Sequence, residues 1–242
     1  VFNWLKKKAV ARAESLTTDV HSHLLPDLDD GVKSLEEMAS VVTVFQQLGY
    51  RKLITTPHVM HDHYRNTPEI IRASLEQVQA YLRQENIPVI MEAAAEYYLD
   101  EFLMRSLEAD EPLLTFGNGY LLFETNFISE PLNLNEFIFA ASTRGYKPVL
   151  AHPERYLYLQ DNMDRAEDLI NRGVQFQINL GSLAGLYSRN VQATAGKLID
   201  RGYVHILGSD CHSIQHAGLI DQVRRSRYFE KALTLGLINN TL

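Results

Sequence analysis

Along the chain, apolar and polar positions fall into a repeated unit. Four segments, QQLGYRKLITTPH, STRGYKPVLAHP, INRGVQFQINLG and IDRGYVHILGSD, share one plan. Each is the end of a helical pattern, a glycine, a short apolar strand and a polar residue. Gly49, Gly145, Gly173 and Gly202 stand where a chain leaves a helix through a left-handed backbone, which is cheap only for glycine. The runs that follow are rich in Val, Ile, Leu and Tyr, as strands are. Ser34 and Glu37 have capping-box spacing, and Met38, Val41, Val42, Phe45 and Leu48 then recur on one helical face. Thr67, Pro68 and Glu69 mark a second helix start, with Ile71, Leu75, Val78 and Leu82 as its buried stripe. Further helices are predicted near 100–108, 133–143, 162–172, 191–201 and 217–235. Strands are predicted near 17–22, 51–56, 88–95, 119–124, 147–151, 174–179 and 203–208. Seven strands alternating with helices imply a parallel sheet with helical crossovers, either open and doubly wound or closed into a barrel.

The residues after each strand separate these two architectures. His21 and His23 follow the first strand, His58 the second, Glu96 the third and Glu124 the fourth. His152 and Arg155 follow the fifth, Asn179 the sixth, and Asp210 and His212 the seventh. An open sheet concentrates its site at a switch point between a few strands. A barrel gathers every strand end around one mouth. The even distribution favours the barrel. The stretch TTDVHSHLLPDLDDG, residues 17–31, is its densest part. Residues i and i+2 of a strand face the same side, so His21 and His23 are placed to share one ion. The Asp-rich loop beside them offers harder oxygen donors. Imidazole mixed with carboxylate suits manganese, iron or zinc rather than a thiolate site.

Composition narrows the classes. The 242 residues are 45% hydrophobic and 22% charged, as in an ordinary globular chain, and no Pro/Gly/Ser-rich linker divides them. A net charge of -7 argues against nucleic acid as a partner but leaves a phosphorylated substrate open, since bound metal inverts the local field. Cys211 is the only cysteine, which suits a reducing, cytoplasmic setting. No apolar run is long enough for a membrane span. Residues 1–16, with Phe2, Trp4 and Leu5 ahead of Lys6, Lys7 and Lys8, read as an extension to a single domain at 17–242. That extension is expected to fold back or help an oligomer pack, with contact to a membrane surface as the alternative. It lacks the order of a secretory signal.

DVHSHLLPDLDDG, TTPH, AAAEYY, LLFE, LAHPERY and GSDCH, in this order, resemble the polymerase-and-histidinol-phosphatase (PHP) superfamily. The likeness is to its manganese-dependent protein tyrosine phosphatases of bacterial capsule and exopolysaccharide synthesis, and it spans about Thr17 to His212. It implies a distorted seven-stranded β/α TIM-like barrel with three divalent metal ions at the carboxyl end of the strands, manganese first and iron or zinc as alternatives. One ion would be held by His21, His23, Glu96 and Asp210. A second would share Glu96 and add Glu124 and His152. The third would take Asp30, His58 and His212. Arg155 matches the phosphate-binding arginine. Asp27 and Asp29 are left to turn chemistry. Where some relatives carry a second arginine, this chain has SIQHAG, so His216 is the substitute candidate, and the next arginine is Arg224. The HVMHDHYR loop adds His61, His63 and Arg65, placed either to touch substrate or stray metal, or to lie solvated.

The implied reaction is hydrolysis of phosphotyrosine on a protein, expected to be the tail of a bacterial tyrosine kinase of polysaccharide export, by attack of metal-activated hydroxide. A tyrosine phenol has a pKa of about 10, so its departure needs little help from a general acid. A small-molecule phosphatase, such as histidinol phosphatase, is the alternative enzyme, and an inactive metal-binding scaffold is the alternative from another class. A thiol route is set aside because the sixth residue after Cys211 is Ala217 rather than an arginine. The chain also lacks a phosphate-loop motif and a GxSxG elbow.

Overall fold

The strands form two parallel sheets. The computed structural model describes residues 16–242. Its three-stranded sheet runs β1 (Thr18–Val20), β2 (Lys52–Thr55), β4 (Ile90–Ala93). The six-stranded sheet runs β3 (His58–Val59), β5 (Glu96–Tyr98), β6 (Tyr120–Glu124), β7 (Lys147–Ala151), β8 (Gln175–Asn179), β9 (Ile206–Gly208). Every neighbouring pair is parallel. Among the described residues the seven predicted strands are thus nine, and the ladders do not make one seven-stranded sheet. The difference lies at two breaks. Pro57, which has no N–H for a ladder, falls between β2 and β3, and Ala94–Ala95 falls between β4 and β5. The strand predicted at 203–208 is also shorter.

The far edges of the two sheets meet. Ser22 bridges Cys211 in parallel. His23 N donates to Cys211 O (2.9 Å) and Asp210 N to His21 O (2.8 Å). The buried Asp19 carboxylate accepts from the Ser209 amide (2.8 Å) and hydroxyl (2.7 Å). The sheets therefore curl, and both faces are apolar, as expected of parallel strands covered by helices. Val20, Ile54, Leu122, Val149 and Ile206 pack into an inner cluster. Their alternates Leu53, Leu121, Phe123, Leu150 and Leu207 face outward into the larger core beneath the helices.

The helices are α1 (Leu35–Gln47), α2 (Pro68–Gln84), α3 (Glu101–Glu108), α4 (Leu134–Thr143) and α5 (Met163–Asn171), then α6 (Leu180–Leu183), α7 (Arg189–Asp200), α8 (Ile214–Val223) and α9 (Arg227–Ala232). Ser34 Oγ accepts from Glu37 N at 3.2 Å, but the Glu37 carboxylate takes the Lys33 amide, so only half of the capping box forms. Thr67 caps α2 through Ile70 N at 3.4 Å. The four repeat glycines all have positive φ, from 74° to 92°. The single helix predicted at 217–235 is two helices. Ser226 accepts from Phe229 N (3.2 Å) and starts a new one, a cap the apolar spacing alone hides. Leu16, assigned to the extension, is fully buried in the core; residues 1–15 and the roles predicted for them lie outside the described residues. No helix among the described residues is long and apolar enough to cross a membrane.

Gly208 closes the curl. A Cβ there would lie 2.1 Å from Val20 O and 2.7 Å from Gln177 Nε2. Backbone cannot yield as a flexible side chain does, so Gly208→Ala is expected to cost about 1–3 kcal/mol. At roughly 2–4 °C per kcal/mol for a domain of this size, Tm should fall by about 5 °C. A calorimetric Tm equal to wild type would show that the approach of β1 to β9 is looser than described.

Candidate metal centre

The carboxyl ends of the strands surround a pocket of about 360 Å³. His58 on β3, Glu96 on β5 and Glu124 on β6 are aimed by strands, whereas His21, His152 and Asp210 are aimed by backbone turns. β1 ends at Val20, which faces the inner cluster, and His21 has φ 93°. This left-handed residue turns the chain so that His21 and His23 both enter the mouth, which corrects the expectation of two alternate residues on a regular strand. His152 (φ 36°) and Asp210 (φ 51°) share the feature. Non-glycine residues held there cost about 1–3 kcal/mol each and persist where surrounding bonds fix them. His21 is fixed by its N–H to Ile54 O (3.1 Å) and by the Asp210 amide donating to its carbonyl.

All nine predicted ligands converge. Their donor atoms form four overlapping groups, each within 4.8 Å: His23, Asp30, His58 and His212; His21, His23 and Glu96; His21, His152 and Asp210; His58, Glu96 and Glu124. Glu96 is at the middle. Its Oε2 lies 3.1 Å from His21 Nε2, 3.2 Å from His58 Nδ1 and 3.5 Å from His23 Nε2, and its Oε1 lies 3.1 Å from His152 Nε2. Asp210 Oδ1 lies 3.3 Å from His21 Nε2 and 3.4 Å from His23 Nε2. Asp30 Oδ1 lies 3.4 Å from His212 Nε2 and 3.6 Å from His58 Nε2.

Outer contacts orient the rings. Gln177 Oε1 accepts from His21 Nδ1 (2.7 Å), and Asp29 Oδ2 accepts from His23 Nδ1 (2.7 Å). His212 Nδ1 donates to the Asp210 carbonyl (2.9 Å). Each contact leaves the opposite nitrogen facing the carboxylates, the arrangement that presents imidazole to a metal. His23 Nε2 and His152 Nδ1 are buried with no hydrogen-bond partner among the described residues. For His23 that orphaned atom lies between Glu96 and Asp210, so the donor set fits divalent cations.

The charges are strongly coupled. Burial pulls the His21 imidazole down, but Glu96 and Asp210 outweigh it and raise it to about 9. Burial likewise opposes the ionisation of Glu96, yet the surrounding imidazoles hold it well below the usual carboxylate range. Asp210 is held low in the same way, first by His21.

Arg155 sits in the short turn after β7, with its guanidinium carbon 4.6 Å from the Phe127 ring centre and 4.5 Å from that of Tyr187. Its Nη1 lies 3.3 Å from Asp210 Oδ2. His216 lines the same pocket, and its Nδ1 accepts from the His212 amide at 3.4 Å. Burial and the neighbouring His212 lower its pKa. Arg224 is elsewhere, donating to the Leu16 and Leu48 carbonyls and lying over Tyr50. His61 and His63 belong to none of the four ligand groups. Cys211 is buried and its thiol is pushed up by that burial, which leaves it no thiolate to offer.

Several functional contacts escaped the sequence reading. Asp29, assigned to turn chemistry, is buried and also accepts from the His58 amide (3.0 Å) and the Gly31 amide (2.9 Å), so it aligns the segments that carry His23 and His58. Asp27, with φ 58°, does serve the turn. Gln177 was detectable, since it lies two residues before Asn179 on β8 and faces the same side. Phe127 and Tyr187 come from loops without a periodic signal.

A family model described as capsular polysaccharide synthesis, CpsB/CapC, matches residues 17–225. Tyrosine-protein phosphatase YwqE of Bacillus subtilis (strain 168) is 28% identical over 197 residues, covering 81% of this chain and 78% of the relative. Tyrosine-protein phosphatase CpsB of Streptococcus pneumoniae is 27% identical over 201 residues, covering 81% and 83%. A solved structure from work on YwqE of Bacillus subtilis and CpsB of Streptococcus pneumoniae, described as metal-dependent tyrosine phosphatases, superposes with a TM-score of 0.82. It is 26% identical and covers 93% of each chain.

Proposed function

The chain belongs to the CpsB/CapC family of capsular polysaccharide synthesis, and from that premise we propose that it is a metal-dependent tyrosine-protein phosphatase. The observation that carries the reading is the convergence of nine imidazole and carboxylate side chains, seven of them lining one pocket beside a guanidinium and His21 and His23 buried directly beneath. We assign three divalent ions to it, manganese first, with iron and zinc meeting the same donors. His21, His23, Glu96 and Asp210 would hold one, Glu96, Glu124 and His152 a second, and Asp30, His58 and His212 the third. Such ions, when bound, supply an acidified water and neutralise phosphoryl charge. The two sheets are read here as one distorted seven-stranded barrel, with β2–β3 and β4–β5 each a single broken strand. The bonds from Ala94 N to Thr55 O and from Glu96 N to Pro57 O, which continue the register across both breaks, support this.

The chain's own groups bind and orient. Arg155 offers its planar fork to two phosphoryl oxygens. Phe127 and Tyr187 hold that fork between them, and Asp210 fixes one edge. Water adds to phosphorus as the ester P–O bond breaks, and the aryl oxygen leaves with the electron pair. A phenol of pKa about 10 departs with little assistance. The attacking water loses one proton, and His216, which lines the pocket, is assigned its relay to the departing phenolate oxygen. The physiological substrate is a phosphotyrosine protein, proposed to be a bacterial tyrosine kinase of polysaccharide export.

Turnover on a phosphotyrosine peptide and on histidinol phosphate, each with manganese, tests the assignment. The peptide should be strongly preferred; preference for histidinol phosphate would overturn it. Arg155→Ala should raise KM and lower kcat/KM by about 100-fold, since the contact exists in ground and transition states. Wild-type kinetics would remove Arg155 from the phosphate site.

A further inference from the structure

The HVMHDHYR loop is the sequence motif the centre leaves largely unused. His58 at its start enters the centre, but His61, Tyr64 and Arg65 turn away to line a second cleft of about 300 Å³. The opposite wall is the first turns of α3, through Phe102, Leu103 and Ser106, and the surface is mostly apolar. The loop is held firmly. Met60 N donates to Tyr64 O (2.9 Å) and Tyr64 N to Met60 O (2.7 Å). The His61 ring stacks on Phe102 with planes 11° apart, so its face is used for packing rather than for a metal. Asp100, the acid at this cleft, is already engaged, accepting from the amides of Phe102 and Leu103 through one oxygen and of His61 through the other. Little is left to attract a cation, and an apolar floor remains.

The cleft adjoins the catalytic pocket, with His58 lining one and Tyr64 the other. One ring separates them: Tyr64 stacks on His58 with centroids 5.5 Å apart and planes 13° apart. The Asn66 side chain donates to His58 O (2.7 Å) and Leu28 O (2.9 Å), which fixes the partition against the ligand loops. An extended chain advances about 3.3–3.6 Å per residue, and alternate side chains share a face. A peptide with its phosphotyrosine over His58 therefore presents a neighbouring side chain to the far side of Tyr64. We propose that this cleft is a subsite for a bulky apolar side chain two or three residues from the phosphotyrosine of the protein substrate. The assignment rests on the phosphatase reading above and extends it from the phosphoryl group to the flanking sequence.

The experiment compares peptides with Leu or Ala at those flanking positions, on wild type, Phe102→Ala and Ser106→Phe, with p-nitrophenyl phosphate as the control. Phe102 is half exposed, so its removal leaves the core intact, and Ser106→Phe fills the cleft instead of enlarging it. Wild type should prefer the Leu peptide by about tenfold in kcat/KM through KM. Both variants should lose that preference and keep wild-type turnover of p-nitrophenyl phosphate. Equal rates on both peptides, or a preference that survives in both variants, overturns the subsite and leaves the phosphatase reading standing. Hydrolysis of neither peptide nor p-nitrophenyl phosphate by wild type with manganese overturns both.

Discussion

Glu96→Gln is expected to lower kcat/KM on an aryl phosphate by about 1,000-fold while the circular dichroism spectrum stays that of wild type. Four imidazoles, those of His21, His23, His58 and His152, approach this one carboxylate within 3.5 Å. Glutamine keeps the shape but replaces one oxygen with an amide nitrogen that donates only. A shared position then has one acceptor oxygen and no charge, so metal content should fall with the rate. Asp210→Ala and His152→Ala are expected to act in the same direction, because each stands in the same cluster. A Glu96→Gln enzyme with near-normal kinetics and full metal content would show that Glu96 is packing, not a ligand.

Removal of metal should have the second largest effect. After chelation the enzyme is expected to lose activity, recover it with manganese, and melt about 10 °C lower. An ion present at a thousand times its Kd, bound only by the folded state, contributes about 4 kcal/mol, and a domain of this size shifts by roughly 2–4 °C per kcal/mol. The stripped protein should also show a definite pH dependence. His21 is raised from 6.5 to about 9, burial opposing and Glu96 and Asp210 prevailing. Its contribution to stability is therefore complete below about 6.5 and is lost as pH rises through about 9. Protons and metal compete for the same nitrogens, so metal affinity should rise over that window. Thermal melts of stripped and loaded protein between pH 6 and 9 read both effects. Stability of the stripped form that did not fall with pH would contradict the charge coupling assigned to this cluster.

Most of the candidate ligands were legible in the sequence because they stand at or near the ends of apolar runs, and parallel strands bring their carboxyl ends together; Asp30, in the loop after β1, was named only through the family resemblance. His58, Glu96, Glu124 and Asp210 needed no other signal. What pattern could not supply was backbone direction. The positive φ values of His21, His152 and Asp210 are imposed by long-range bonds, such as Asp210 N to His21 O, that no local window contains. Asp29 hid in a run of acids where only burial distinguishes it from Asp27. Phe127 and Tyr187 find Arg155 through loops. The strand breaks at Pro57 and Ala94–Ala95 separate ladders that the apolar runs present as continuous. Between α8 and α9 the helical stripe carries on, although α8 ends at Val223 and Ser226 caps a new helix.

The most direct measurement is anomalous diffraction at the manganese edge from crystals grown with manganese. Three peaks are predicted in the pocket at the end of the strands, one bounded by His21, His23 and Asp210, one by Glu124 and His152, and one by Asp30, His58 and His212, with Glu96 between the first two. A pocket without anomalous density, or density only at the outlying His61 and His63, would contradict the account.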